Sequence, residues 1–325
     1  MQYRLLGRTG LRVSALCLGT MQFGWTADEE QSFKVLDAAH EAGINFLDTA
    51  DIYSRWAEGN PGGVSEAIIG RWWRQAGVQR HRLILASKVR GSMGEDPNEA
   101  GLSRGHILWS IERSLERLQT DYLDLYQLHW PDEDTPIEET LRTLDDLIRQ
   151  GVVRAIGCSN FKAWQLVESL WSADVHHLES FATLQPHYNL LHREEYEQDL
   201  EAVCQRYGLA VIPYSPLAGG VLTGKYSRDG NDPDSQRASS QSIQNYLQQP
   251  STWATLEALK RVGQQHGKSI SQIALAWLLH RDSITSPIIG PRTLAQLEDN
   301  LGCVDVVLSL AQYEEIDSAS SRAQA

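Results

Sequence analysis

Short apolar runs alternate with longer amphipathic stretches along nearly the whole chain. The apolar runs have the length of buried strands, and the stretches between them place apolar residues three and four positions apart, as a helix does. The predicted strands are 15–18, 44–48, 83–88, 122–129, 152–158, 181–185, 209–214 and 284–289. The predicted helices that follow them are 27–42, 64–74, 103–118, 137–150, 163–171, 194–207, the pair 251–265 and 271–279, and 294–301.

Strands that alternate with helices form right-handed βαβ units and therefore a parallel sheet. Eight such units in 325 residues favour an α/β protein of the closed (β/α)8 barrel type over an open doubly wound sheet. Residues 3–6 and 11–13 predict an N-terminal β-hairpin placed to plug one mouth of the barrel. We expect one domain over residues 1–325, with extra C-terminal helices. The polar stretch 227–249 is typical of a loop inside one unit.

Composition narrows the class of protein. The chain is 42% hydrophobic and 22% charged, as globular proteins are. Its 29 basic and 42 acidic residues give a net charge of −13, which repels phosphate backbones and anionic lipid, so no nucleic-acid or membrane partner is expected. Four isolated cysteines predict neither a metal site nor a disulfide framework. With no secretory pattern at the start of the sequence, the cytoplasm is the expected compartment.

Polar residues end most of the predicted strands. In a (β/α)8 barrel these ends face the active site, so their side chains are expected to meet at one mouth. Any one of them alone is more typical of a solvated loop or a satisfied core group, but a succession of them favours a site. The residues are Asp48, with Tyr53 five positions later, then Lys88, His129, Ser159, Asn160, Gln185, Tyr214, Ser215, Gly290 and Arg292.

The motifs around these residues, taken in order, resemble those of the aldo-keto reductase family over essentially the whole chain. They are GINFLDTADIY at 43–53, ASK at 86–88, LHWP at 128–131, GCSNF at 157–161, YSPLAGG at 214–220 and LEDNL at 297–301. The segment 53–66 resembles the bacterial, NADP-dependent branch of the family. The ordered set is far more specific than any single motif.

The resemblance implies a catalytic tetrad of Asp48, Tyr53, Lys88 and His129. Reducing a carbonyl requires a hydride on carbon and a proton on oxygen, and a tyrosine with a pKa of about 10 is a protonated but sluggish acid. Lys88 is expected to lower the pKa of Tyr53, the proton donor, while Asp48 keeps Lys88 charged. His129 is expected to orient the carbonyl oxygen. Asp51 is the competing carboxylate, and Asp48 is preferred because it ends the apolar run.

None of these side chains can deliver a hydride, so the chemistry requires a cofactor. No GxGxxG follows the first strand, and a Rossmann site is therefore not predicted. The resemblance implies instead that Ser159, Asn160 and Gln185 bind the nicotinamide carboxamide and that Tyr214 stacks on the nicotinamide ring.

The resemblance also implies where the rest of the cofactor is held. Residues expected along it, from the nicotinamide ribose through the pyrophosphate to the adenosine, are Gly19, Thr20, Met21, Ser215, Leu217, Ala218, Gly219, Gly224, Lys225, Gly290, Arg292, Gln296 and Asn300. Small residues in the loop after the seventh strand let backbone amides approach the pyrophosphate. The Arg292 guanidinium suits a 2′-phosphate, which favours NADPH over NADH.

Ten tryptophans are many for this length. Trp25, Trp56 and Trp130 lie on predicted loops at the catalytic mouth, where an apolar substrate wall and simple loop packing are both open interpretations. Six others fall in predicted helices and are expected to pack between the helices and the barrel: Trp72, Trp73, Trp109, Trp164, Trp171 and Trp277.

The leading interpretation is an NADPH-dependent oxidoreductase that reduces small aldehydes and ketones. One alternative is a cofactor-binding regulatory subunit resembling the potassium-channel β subunits. Another is a sugar or polyol dehydrogenase that works mainly in the oxidative direction. Substrate-pocket loops vary without altering a fold, so the substrate is left open, as is the oligomeric state, with a monomer among the options.

Overall fold

The structure is a computed structural model that describes residues 1–228 and 240–321. Its strands are β1 (Tyr3–Leu5), β2 (Arg12–Ser14), β3 (Cys17–Gly19), β4 (Phe46–Asp48), β5 (Ile84–Val89), β6 (Leu123–Leu128), β7 (Val153–Ser159), β8 (Thr183–Gln185), β9 (Ala210–Val211) and β10 (Ile288–Ile289). Its α-helices are α1 (Glu29–Glu41), α2 (Val64–Gln75), α3 (Arg104–Leu118), α4 (Ile137–Arg149), α5 (Ala163–His176), α6 (Glu201–Tyr207), α7 (Gln241–Leu247), α8 (Pro250–His266), α9 (Ile270–His280), α10 (Leu294–Leu301) and α11 (Leu310–Ser320).

The last eight strands form one parallel sheet in the order β10-β3-β4-β5-β6-β7-β8-β9. Backbone hydrogen bonds join its two ends, because Thr285 N donates to Val211 O at 2.8 Å and Ile288 N donates to Pro213 O at 2.9 Å. This closure confirms the predicted (β/α)8 barrel. Strands β9 and β10 are shorter than the predicted 209–214 and 284–289, since the backbone bonds at this seam, which include a longer one of 3.3 Å from Ser286 N to Val211 O, do not follow a regular ladder.

The antiparallel hairpin β1–β2 closes the N-terminal end of the barrel, as predicted. Leu6 and Val13 are fully buried and pack with the inward-facing apolar residues of the strands, including Phe46 and Leu125. The turn of the hairpin approaches the barrel closely at Gly7, where a Cβ would lie 2.4 Å from the carbonyl oxygen of Ala182. Only glycine permits that approach, and its φ of +59° also favours glycine.

The helices cover the outer face of the barrel through their apolar stripes. In α3 the buried positions Ile107, Ile111 and Leu118 share one face, as their spacing predicts. The helix begins where the Ser103 side chain accepts a hydrogen bond from His106 N and ends at Gln119 in a left-handed conformation. Helix α11 is an extra C-terminal helix that packs on α8, with Thr255 Oγ1 donating to Ala319 O at 3.2 Å.

The predicted loop 227–249 is wrong in part, because α7 lies within it. Only Ile243 of this short polar helix is fully buried, so the sequence there carries almost no helical apolar pattern. Residues 229–239 of the predicted loop lie outside the described residues. The predicted helix 194–207 begins as a wider π turn over Tyr196–Leu200 before α6.

Packing of the six helical tryptophans follows the prediction only in part. Trp72, Trp73 and Trp277 are buried. Trp164 and Trp171 are 62% and 63% exposed, because α5 turns Leu166, Leu170 and Ala173 to the barrel and the tryptophans outward. Trp109 is half-buried and stacks on His106. Among the described helices, none is long and apolar enough to cross a membrane.

Candidate active site

A buried ammonium lies at the C-terminal ends of β4 and β5. Lys88 is fully buried, and its Nζ donates to Asp48 Oδ2 at 2.5 Å, to Tyr53 Oη at 2.9 Å and to the backbone oxygen of Thr49 at 2.9 Å. Three donors thus meet three acceptors, which is the full capacity of a lysine. Strands β4 and β5 pair in parallel register, with Asp48 opposite Ala86, and this pairing brings the carboxylate and the ammonium together.

The charges of this group follow from burial and from its neighbours. Burial alone lowers the pKa of Lys88, but the Asp48 carboxylate and Tyr53 outweigh it and raise that pKa above its ordinary value. Burial raises the pKa of Tyr53, and the opposing effect of Lys88 is smaller. The expected lowering of the Tyr53 pKa by Lys88 is therefore present but is exceeded by desolvation. The site holds a charged lysine beside a protonated phenol.

Asp48 is held by two amides as well as by Lys88. Its Oδ1 accepts from Gln127 Nε2 at 3.1 Å and from Gln185 Nε2 at 2.9 Å. Gln127 did not figure in the sequence-based site. The signal for it was present, because Gln127 lies two residues before His129 and side chains at i and i+2 share one face of a strand.

The competing carboxylate, Asp51, is fully buried on the turn after β4. Neither of its oxygens has a hydrogen-bond partner within the described residues. Burial and the neighbouring Glu66 carboxylate raise the pKa of Asp51 well above its ordinary value. Of the two carboxylates, Asp48 therefore pairs with Lys88, whereas the Asp51 carboxylate has no hydrogen-bond partner among the described residues.

The His129 imidazole lies beside the phenol, with its ring 5.8 Å from that of Tyr53 at an angle of 70°. Burial and the Lys88 ammonium lower the pKa of His129 well below its usual range. The imidazole is therefore neutral at physiological pH and can donate one hydrogen bond without carrying charge.

A cavity of about 800 Å³ opens above these side chains. The predicted site residues that line it are Gly19, Thr20, Met21, Asp48, Tyr53, Trp56, His129, Trp130, Ser159, Asn160, Gln185, Tyr214, Ser215, Leu217, Gly219, Lys225, Gly290, Arg292, Gln296 and Asn300. The four predicted residues outside the lining are Lys88, Trp25, Ala218 and Gly224. Residues in the lining that the sequence did not suggest include Ile52, Ser271 and Asp299.

One wall of the cavity carries a linked set of polar groups. Tyr214 Oη donates to Asn160 Oδ1 at 2.8 Å, and Asn160 Nδ2 donates to the backbone oxygen of His129 at 2.9 Å. Ser159 Oγ donates to the backbone oxygen of Gln185 at 2.7 Å. These bonds fix the side-chain orientations before any ligand arrives.

The far end of the cavity is basic. Within residues 1–228 and 240–321, neither the Lys225 ammonium nor the Arg292 guanidinium makes an ion pair, although both line the cavity. The backbone N of Arg292 donates to Gln296 Oε1 at 2.8 Å. Gly219 and Gly220 bring bare backbone to the same wall, with φ of 65° and 100°. Cations that form no ion pair among the described residues, set beside exposed backbone, suit a ligand that carries phosphate groups, so the donor set fits a phosphorylated nicotinamide cofactor.

Aromatic rings line the opposite end of the cavity, near the Tyr53 phenol. Trp56 is 47% exposed and lies 6.1 Å from the Tyr53 ring, while Trp130 lies 4.6 Å from the His129 ring. Trp25 packs edge-on against Trp56 at 5.7 Å and supports it from outside the cavity. Across the described part of the chain, no group of three or more His, Cys, Asp or Glu side chains is placed to hold a metal ion.

A buried Asp–Lys–Tyr set lies beneath the cavity at the C-terminal mouth of the closed barrel. This arrangement is typical of a (β/α)8-barrel oxidoreductase. Residues 15–321 match the family model described as the Aldo/keto reductase family. The chain therefore belongs to the aldo/keto reductase family, whose members act on small carbonyl substrates and generally use nicotinamide cofactors.

Curated relatives span nearly the same length. An uncharacterized oxidoreductase of Bacillus subtilis, YrpG, is 40% identical over 313 residues, covering 95% of this chain and 92% of that protein. A rice protein named provisionally as a voltage-gated potassium channel subunit beta is 35% identical, covering 94% of this chain and 92% of its own. A Schizosaccharomyces pombe protein named provisionally as an aryl-alcohol dehydrogenase is 34% identical with the same coverage.

Proposed function

We propose that the protein is an NADPH-dependent oxidoreductase that reduces aldehydes and ketones to alcohols. The observation that carries the proposal is the position of the Lys88 ammonium, which contacts both the Tyr53 hydroxyl at 2.9 Å and the Asp48 carboxylate at 2.5 Å at the base of the cavity. This arrangement holds a protonated phenol next to a fixed positive charge, as a general acid for a carbonyl oxygen requires.

In the proposed reaction the chain handles the proton and orients the substrate. Neutral His129 donates a hydrogen bond to the carbonyl oxygen and holds it beside the Tyr53 hydroxyl. Tyr53 gives its proton to that oxygen, and the Lys88 ammonium stabilises the phenolate that remains. Asp48 keeps Lys88 charged and in place. A bound nicotinamide cofactor supplies the hydride.

We assign the cavity wall and its basic end to that cofactor. Ser159, Asn160 and Gln185 are the carboxamide partners, and Tyr214 is the platform for the nicotinamide ring. The remaining residues proposed to contact the cofactor are Gly19, Thr20, Met21, Ser215, Leu217, Ala218, Gly219, Gly224, Lys225, Gly290, Arg292, Gln296 and Asn300. The Arg292 guanidinium, for which the described part of the chain offers no ion-pair partner, supports NADPH over NADH, because only NADPH carries the 2′-phosphate.

The substrate end favours an apolar, and especially an aromatic, carbonyl compound. Trp56 and Trp130 present rings on either side of the acid, and aromatic rings bind other rings by stacking or edge-on contact. The name of the fission yeast relative refers to aryl alcohols, which agrees with this substrate class. We also propose a reducing compartment, the cytoplasm, because all four cysteines are buried and unpaired.

The second candidate is a cofactor-carrying regulatory subunit, which the 35% identity to the rice protein favours. Consumption of NADPH with a panel of aromatic aldehydes, ketones and phosphorylated sugars separates the two. We expect many turnovers per protein molecule with an aromatic aldehyde. One turnover followed by arrest would support the regulatory subunit, and a much faster rate with NADP⁺ and an alcohol would support a dehydrogenase.

A further inference from the structure

Three stacked rings, those of Tyr214, His187 and His192, extend outward from one wall of the cavity. The His187 ring is stacked on that of Tyr214, with centroids 5.0 Å apart and an interplanar angle of 11°. The His192 ring is in turn stacked on the His187 ring, with centroids 4.0 Å apart and an interplanar angle of 18°. Tyr214 lines the cavity, whereas His187 and His192 do not. His187 therefore covers the rear face of the Tyr214 ring and leaves its front face to the cavity.

The rear layer is held in place by main-chain pairing. His187 and Tyr214 form a parallel bridge just beyond the ends of β8 and β9, and Tyr214 N donates to Pro186 O at 3.0 Å. The phenol tip is fixed separately by its bond to Asn160. The imidazole of His187, stacked 5.0 Å from the Tyr214 ring, occupies the space into which that ring would tilt away from the cavity.

Hydrogen bonding indicates that the His187 imidazole is neutral. Asn189 Nδ2 and Tyr246 Oη both lie 3.4 Å from His187 Nε2. The Asn189 amide cannot be reversed, because its Nδ2 also donates to Ser215 O and its Oδ1 accepts from Leu191 N. Nε2 therefore faces one amide nitrogen that can only donate, which favours the neutral ring with Nε2 as the acceptor.

The charged and titratable groups around His187 shift its pKa in opposite directions. Burial and the neighbouring His192 lower the pKa of His187 to about 4, and the Glu195 carboxylate opposes them. Glu195 Oε2 lies 2.9 Å from His192 Nε2, on the outer side of the three stacked rings. Tyr246 faces the edge of His187 from α7.

We propose that His187 is a positioning residue, which keeps the Tyr214 ring flat against the nicotinamide and, by staying neutral, keeps that ring attractive to the oxidised cofactor. This inference rests on the proposed function, in which Tyr214 is the nicotinamide platform. The oxidised nicotinamide ring is a cation, and the face of a tyrosine ring attracts cations. A positive charge on the rear face would oppose the oxidised cofactor and leave the uncharged reduced ring nearly unaffected.

Calorimetric binding of NADP⁺ and NADPH to four variants tests the positioning role without relying on turnover. His187→Ala is expected to bind NADP⁺ about two- to tenfold more weakly, the usual contribution of one aromatic contact, and His187→Phe is expected to restore most of the affinity. In a Tyr214→Ala background, His187→Ala should have no further effect, because it acts through that ring. Melting temperatures of the variants separate loss of the contact from loss of the fold.

Acidification tests the role of charge. Between pH 7 and pH 4, over which a group with a pKa of about 4 takes up its proton, NADP⁺ binding should weaken up to about twofold more in the parent protein than in His187→Phe, which has no proton to gain at this position. Comparing the two proteins cancels the pH dependence that comes from the cofactor phosphate and from the rest of the chain, which both share. Equal pH dependence in the two proteins would overturn the role of charge.

The outcomes distinguish this inference from the function on which it rests. Parent-like NADP⁺ affinity in His187→Ala, together with weak binding in Tyr214→Ala, would overturn the inference and leave the cofactor platform standing. A His187→Phe protein as weak as His187→Ala would also overturn it. Parent-like affinity in Tyr214→Ala would remove the platform itself, and the role of His187 with it.

Discussion

The Nζ of Lys88 lies 2.9 Å from the Oη of Tyr53, and both side chains are buried beneath the barrel mouth. This contact has two possible purposes. It can tune and stabilise the phenol during proton transfer, or it can simply tie β5 to the turn after β4. The first purpose is electrostatic and the second is structural, so the two respond differently to removal of the charge.

Lys88→Met keeps most of the unbranched side chain and removes its charge. We expect turnover to fall steeply but to stay measurable, because no cation remains to stabilise the phenolate. Reduction requires protonated Tyr53, so its rate falls as the pH rises through the pKa of that residue, which burial already raises above its ordinary value. Without Lys88 that pKa rises further, and the alkaline limb of the pH–rate profile should move to higher pH. A limb that does not move would assign Lys88 a structural role.

Asp48→Asn should lower turnover less than Lys88→Met, since the lysine remains but is held less well. Adding Asp48→Asn to Lys88→Met should cost little further activity, because the carboxylate acts through the ammonium. Unfolding of each variant needs to be followed in parallel, since an unpaired buried charge destabilises a fold by itself. Additive losses in the double variant would mean that Asp48 acts independently of Lys88.

Asp51→Asn is the matched control for Asp48→Asn. The Asp51 backbone N donates to Lys88 O at 3.3 Å, which the substitution keeps, and the carboxylate makes no hydrogen bond within the described residues, so this variant should turn over at close to the parent rate. The same pair of proteins should also differ in how their stability depends on pH. The folded protein holds the Asp51 proton more tightly than the unfolded chain, so this residue's contribution is full below about pH 4 and is lost as the pH rises through its raised pKa. Denaturant unfolding should therefore show the asparagine variant gaining stability relative to the parent as pH increases through that window.

Arg292→Ala tests the choice of cofactor. Loss of a charge-assisted contact of about 1.5–3 kcal/mol should weaken NADPH binding on the order of ten- to a hundredfold. NADH lacks the 2′-phosphate and is the internal control, with little change expected in its dissociation constant. Equal weakening of both cofactors would show that Arg292 maintains the local structure and does not bind the phosphate.

Trp56→Ala tests the aromatic wall. The KM for an aromatic aldehyde should rise about two- to tenfold, while that for a short aliphatic aldehyde changes much less. Trp25→Ala is the matched control, because Trp25 supports Trp56 without lining the cavity. If both aldehydes respond equally to Trp56→Ala, the ring packs the loop and does not recognise the substrate.

The barrel could be predicted from the sequence because its strands are buried on both faces. All six residues of β5 and of β6 are buried, so each strand stands out as a short apolar run between amphipathic helices. The same runs also indicate the mouth of the barrel, since the polar residues that end most of them line the cavity or, like Lys88, lie directly behind it. Asp48 was preferred over Asp51 on this basis, and the contact with Lys88 agrees.

Other features depend on packing that no local pattern carries. The lysine next to Tyr53 could be foreseen, but the depth of burial that outweighs it in the pKa of Tyr53 could not. Helix α7 offers too few apolar positions to be recognised. The sequence predicts that Trp164 and Trp171 are covered because both fall in a predicted helix, yet α5 meets the barrel with its smaller apolar residues.

The most direct test of the proposed reaction is steady-state NADPH oxidation by Tyr53→Phe with an aromatic aldehyde, measured together with the NADPH dissociation constant. The variant removes one hydroxyl and keeps the ring. We predict that turnover falls by about a hundredfold or more while NADPH binds as in the parent. A folded Tyr53→Phe protein that binds NADPH and reduces the aldehyde at the parent rate would contradict the account.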